Sequence, residues 1–168
     1  MNLILYGFPG AGKSHYGKLL AQKLHCPFID LDELISPSRP ARELFRAIGE
    51  EEFRKLERQA LFRLHPRQDS IIALGGGTVL DPKNVTLLKA LGRFVYFCIS
   101  KESLIKKALA KDLLAFAAEP SPIVSLEQEY ATRLPIYEAI FSDKIALDGQ
   151  SEAGVLSSLR AIWDDMHK

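Results

Sequence analysis

Gly7-Phe8-Pro9-Gly10-Ala11-Gly12-Lys13-Ser14 constrains this chain more than any other stretch. It reads GxxxxGKS, follows the apolar run Leu3-Ile4-Leu5-Tyr6 and opens a helical pattern near Lys13. Strand, glycine loop, helix is the order that a phosphate-binding loop requires. Glycines let the backbone turn several N–H groups inward and approach an oxyanion closely. The N-terminus of the following helix adds unpaired donors and a partial positive charge. Lys13 can reach a β- or γ-phosphate, and the Ser14 hydroxyl can ligate Mg²⁺. The plain alternative is a glycine-rich turn with an incidental Lys-Ser. At a glycine usage of about 7% such a pattern arises by chance in roughly one chain per few hundred. Few of those place it directly after an N-terminal strand, so the nucleotide reading leads.

Beyond the loop, strands and helices alternate. Apolar runs at 2–6, 26–29, 70–74, 94–99 and 144–147 read as five strands. Helical spacing covers 13–24, a turn at 31–35, then 41–48, 50–64, 81–91, 101–110, 126–141 and 152–166. Residues 111–122 have weak periodicity and end in Glu119-Pro120-Ser121-Pro122, which reads as a mobile loop. No segment repeats. This alternation calls for an α/β fold, a parallel five-stranded sheet between two helical layers. Ligands are then expected at the carboxyl ends of the strands, where the glycine loop sits.

At 168 residues the chain is read as one domain with a proper core. A net charge of +1 gives no basis for expecting nucleic acid or a membrane surface as partner. Cys26 and Cys98 lie in apolar contexts and read as buried thiols of a reducing compartment. No apolar run approaches the ~20 residues that span a bilayer, and no secretory signal is visible. A cytoplasmic monomer is the expectation.

Four further groups carry chemistry. Asp30 and Asp32 stand two apart at a strand end, beside the phosphate loop. One could support hydrated Mg²⁺ and one could meet the acceptor; alternatively Asp32 merely caps the next helical turn. Arg54 and Glu57 are i,i+3 on one helix, a spacing that usually means a surface ion pair. The sharper reading is an Arg held rigid so that its fork binds a carboxylate. Gly75-Gly76-Gly77 ends the third strand, either as a tight turn or because a ligand lies against the backbone. Arg133, Lys106, Lys107 and Lys111 are individually weak signals near the mobile loop. The histidines lack metal-ligand spacing, and no Ser-His-Asp or paired-cysteine zinc pattern is present.

Taken in order, GFPGAGKS, FIDLD, ELF followed by GEEEFRKLE, ALGGG and RLPIYEAI resemble the shikimate kinase family, over residues 2 to about 147. The resemblance implies a P-loop NTPase fold of the nucleoside-monophosphate-kinase type. It implies transfer of the ATP γ-phosphoryl group to the 3-hydroxyl of shikimate, in aromatic amino-acid biosynthesis. ATP is then bound by Gly10, Ala11, Gly12, Lys13, Ser14 and His15, with Lys107 and Lys111. Ser14 and Asp30 hold Mg²⁺. Lys13, Asp32 and Lys111 are catalytic, Asp32 as the base. Arg54 and Arg133 clamp the shikimate carboxylate and Glu57 orients Arg54. Gly75, Gly76 and Gly77 line the site, and Phe45 and Phe53 wall it. A helical segment over about 31–64 carries the substrate, and a lid spans about 108–123. The family's lid reads Arg-Pro-Leu-Leu. Here Lys111-Asp112-Leu113-Leu114 stands in that place, with the charge of an Arg but not its planar fork. Two alternatives stay open: a related small-metabolite kinase of gluconate type, and a degenerate nucleotide-binding protein without turnover.

Overall fold

The central strand, β1 (Asn2–Gly7), is fully buried along its length, as expected of a strand covered on both faces. In the computed structural model, which describes residues 1–64, 69–110 and 122–168, it pairs in parallel with β3 (Ile71–Ala73) on one side. On the other side it pairs in parallel with β4 (Gly92–Cys98). β2 (Phe28–Asp30) extends the sheet beyond β3, and β5 (Asp143–Ala146) extends it beyond β4. The order β2-β3-β1-β4-β5 is the five-stranded parallel sheet the alternation implied. Leu3, Ile4, Leu5, Ile71, Ile72 and Val95 form its interior.

Helices join the strands. They are α1 (Lys13–Leu24), α2 (Leu31–Ile35), α3 (Ala41–Ile48), α4 (Glu50–Leu64), α5 (Pro82–Lys89), α6 (Lys101–Ala110), α7 (Pro122–Glu138) and α8 (Glu152–Met166). A 3-10 turn over Thr78–Leu80, which the periodicity did not announce, follows β3. α1 packs on α8 and α4 on α5. Among the described residues no helix is long and apolar enough to cross a membrane.

Most expected boundaries hold within two residues. Cys26 does not start β2 as expected. It belongs to the end of α1, where His25 takes a left-handed conformation (φ 54°) and the Cys26 N–H donates to the Ala21 carbonyl. That is a helix C-terminus of the type usually built with glycine. α7 starts at Pro122 rather than 126, since a proline is well suited to a helix's first turn. The expected mobile loop over 111–122 otherwise lies outside the described residues, as does Lys111.

Candidate active site

The carboxyl ends of β1, β2 and β3 bring the site together. Gly7 (φ 146°) and Gly12 (φ 92°), the two glycines of GxxxxGKS, take positive φ values that admit glycine readily and other residues poorly, so the spacing is read directly by the backbone; Gly10 (φ 85°) between them does the same. The Lys13 ammonium turns back onto the loop and donates to the carbonyls of Gly7 and Phe8, each at 2.9 Å. Only 8% of Lys13 is exposed. Burial brings its pKa down to about 8, against the pull of the Asp32 and Asp30 carboxylates and with a small push from Arg133. His15 points out of the loop: a ring nitrogen lies 2.8 Å from the Glu152 carboxylate at the start of α8.

Asp30 and Asp32 divide their work differently from the capping alternative. Asp30 is the N-cap of α2, accepting from the Asp32 N–H at 3.0 Å, and its other oxygen accepts from the Ser14 hydroxyl at 2.5 Å. Asp32 lies in the helix itself, free of the cap, with its carboxylate against Gly75. Desolvation, reinforced by the charge of Asp30, pushes the Asp32 pKa up to about 6; Lys13 opposes this. Ser14 and Asp30 present hard oxygen donors beside a phosphate loop, the donor set that suits Mg²⁺ sharing its shell with phosphate and water. Among the described residues no cluster of three His, Cys, Asp or Glu side chains could hold a metal alone.

The three glycines are there for space. None has a positive φ, so the turn after β3 does not need glycine conformationally. A Cβ at Gly75 would sit 2.8 Å from an Asp32 carboxylate oxygen. One at Gly76 would sit 2.9 Å from Nη1 of Arg133 and 2.7 Å from Cδ of Pro9. One at Gly77 would overlap the Arg54 guanidinium. Each glycine thus admits one charged side chain of the site against the backbone.

Arg54 and Glu57 are no ordinary surface pair. Glu57 is 1% exposed, and both its oxygens accept from Nη1 of Arg54, at 2.9 and 3.0 Å. The Arg54 guanidinium also lies over the rings of Phe45 and Phe53, at 5.9 and 5.8 Å. Phe53 is buried in the core and Phe45 is half-buried, and the two rings meet edge to face with centroids 5.3 Å apart. Arg133 pairs with Glu129 one turn earlier on α7. The Tyr137 hydroxyl, a turn later, donates to the Gly76 carbonyl at 2.5 Å. Lys107 is half-buried in the last turn of α6.

Thr78, Asn84 and Tyr137 join these residues without having been among the expected site residues. Tyr137 stands i+4 from Arg133, a spacing that was visible. Thr78 and Asn84 carried no periodic signal, because their partner Glu57 is about 20 residues away or more and meets them only through folding.

The family model for shikimate kinase matches residues 9–163. A shikimate kinase of Moorella thermoacetica is 35% identical over 164 residues, covering 95% of this chain and 92% of that protein. One of Symbiobacterium thermophilum is 32% identical over 163 residues, covering 95% and 94%. Among solved structures, the shikimate kinase from Acinetobacter baumannii in complex with shikimate superposes with a TM-score of 0.85 at 26% identity, over 99% of this chain and 95% of that one. The Bacteroides thetaiotaomicron enzyme gives 0.82 at 26% identity, over 100% and 99%.

Proposed function

The chain belongs to the shikimate kinase family, an ATP-dependent kinase family, and from that premise we propose that it transfers the γ-phosphoryl group of ATP to the 3-hydroxyl of shikimate. One observation carries the reading most. Three glycines side by side hold Asp32, Arg133 and Arg54 against one short turn, next to a phosphate loop. Two guanidiniums can fix the carboxylate of a small rigid acid, and a carboxylate beside them can meet one of its hydroxyls.

Each residue then has a task. Gly10, Ala11, Gly12, Lys13, Ser14 and His15 cradle the ATP phosphates, and Lys13 exchanges its loop carbonyls for phosphate oxygens. Ser14 and Asp30 would hold Mg²⁺, which neutralises phosphate charge when bound. Arg54 and Arg133 take the shikimate carboxylate, Glu57 keeps Arg54 in place, and Phe45 and Phe53 flank it. Asp32 accepts the proton of the attacking hydroxyl. The new oxygen–phosphorus bond forms as the bond to the β,γ-bridging oxygen breaks, and ADP leaves. A pKa of about 6 keeps Asp32 ionised at neutral pH and near enough to it to act as a base. Lys107 and Lys111 are assigned to the phosphates, Lys107 just before and Lys111 within a lid over about 108–123. The protein acts as a cytoplasmic monomer.

The test is ADP release by the purified chain with MgATP and shikimate, gluconate or quinate. Release dependent on shikimate alone is expected. Release with another acceptor alone overturns the substrate, and nucleotide binding without release in any mixture overturns the enzyme.

A further inference from the structure

Glu57 is held by more than Arg54. Its Oε2 accepts from the Thr78 hydroxyl at 2.8 Å, and its Oε1 lies 3.4 Å from Nδ2 of Asn84. Asn84 also donates to the Thr78 carbonyl at 3.0 Å, fixing the peptide that carries that hydroxyl. All three side chains are buried: Glu57 is 1% exposed, Thr78 0% and Asn84 3%. Water therefore has little room to take the place of a lost donor.

The geometry points to Thr78 and Asn84 as positioning residues for the substrate carboxylate, acting on Arg54 through Glu57. This rests on the reading that Arg54 binds that carboxylate. Glu57 takes Arg54 by a single nitrogen, Nη1, while Nη2 lies against Gly77 at the glycine turn. The guanidinium also has its Nε 3.9 Å from the exposed Glu50 carboxylate, which leaves Nη2 as the nitrogen turned to the site. Its plane is set by where the Glu57 carboxylate points. A carboxylate bonded only to a mobile guanidinium can turn about its last torsion, which is broad. Donors from Thr78 and Asn84 remove that freedom before substrate arrives, so the ordering cost is met in folding and not in binding. Thr78 directly follows Gly77, so one short segment makes room for the guanidinium and supplies the hydroxyl that orients it.

The experiment is steady-state kinetics on the full chain for Thr78→Val, Thr78→Ser, Asn84→Ala and Arg54→Ala, and for Thr78→Val and Asn84→Ala each combined with Arg54→Ala. Thr78→Val keeps the shape and removes the donor. It is expected to raise KM for shikimate about tenfold, the loss of a hydrogen bond to a charged group, with kcat and KM for ATP nearly unchanged. Thr78→Ser restores the wild-type KM. Asn84→Ala gives a smaller rise, about threefold, and keeps the inference testable if Thr78→Val does not fold. With Arg54→Ala already present, neither substitution adds a further rise, because both act through that side chain. An equal rise with and without Arg54 overturns the inference, as does an unchanged KM in both single variants. If Arg54→Ala itself leaves KM for shikimate unchanged, the carboxylate clamp fails and this inference fails with it.

Discussion

The guanidinium of Arg54 packs so closely on Gly77 that a Cβ added there would overlap it and lie 3.1 Å from Cζ. Gly77 itself has an ordinary right-handed conformation (φ −90°), which alanine adopts freely. Gly77→Ala therefore strains no backbone, and its cost falls on the arginine. It is expected to raise KM for shikimate by at least about tenfold with a small change in melting temperature. Gly75→Ala meets Asp32 instead and should lower kcat more than it raises KM. Kinetics of the two variants check this; the same pattern in both would contradict the assignment of separate tasks.

Asp32 and Lys13 predict the pH profile. In its proposed role Asp32 works as a carboxylate, and it protonates as pH falls through about 6. In its proposed role Lys13 works as an ammonium, and it loses its proton as pH rises through about 8. The logarithm of kcat/KM for shikimate should be bell-shaped, with apparent limbs near those values. A flat profile from pH 5 to 9 would contradict both roles.

The same Asp32 predicts a trade of stability for activity. Its folded pKa lies above the ordinary 3.8, so the fold favours the protonated form. That contribution is fully present below pH about 4 and is lost as pH rises through about 6. At neutral pH the ionised group costs up to about 3 kcal/mol. Asp32→Asn should abolish turnover, leave ATP affinity nearly unchanged and raise the melting temperature at pH 7.5. The gain should shrink as pH falls from 6 toward 4. Differential scanning fluorimetry across pH reads it.

Truncating Glu57 should do the reverse. Glu57→Ala strands the Thr78 hydroxyl and the Asn84 amide in the interior and frees Arg54. A loss of about 3 kcal/mol is expected in urea unfolding. Glu57→Gln, which retains acceptor capacity, should lose less stability while still raising KM for shikimate.

Lys111→Ala is expected to lower kcat more than tenfold, as loss of a cation on the transferred phosphate would. An unaffected rate would move that role to Lys106 or Lys107, whose alanine variants are the matched comparisons.

What could be read from the sequence was local. The glycine loop announces itself because spacing and backbone conformation lie within eight residues, and the positive φ of Gly7 and Gly12 follows from it. The i,i+3 spacing of Arg54 and Glu57 was equally visible, but its meaning was not. An ion pair on a helix is surface decoration or a clamp depending on what covers it, and α5 covers this one through Asn84. The two aspartates show the same limit. Their spacing was plain, yet Asp30 caps α2 and Asp32 does not, because the helix begins two residues earlier than a cap at Asp32 would require. Thr78 and Tyr137 became recognisable only once folding set one beside Glu57 and the other beside Gly76.

The central claim is that one defined hydroxyl of a carboxylate-anchored acid receives the phosphoryl group. Phosphorus–proton correlation NMR of the product formed from MgATP and shikimate tests it most directly, with Asp32→Asn and the Arg54→Ala, Arg133→Ala double variant as controls. One new phosphate ester is predicted, coupled to the proton on carbon 3, formed by the wild-type chain and by neither control. An ester on another hydroxyl, or free inorganic phosphate alone, would contradict the account.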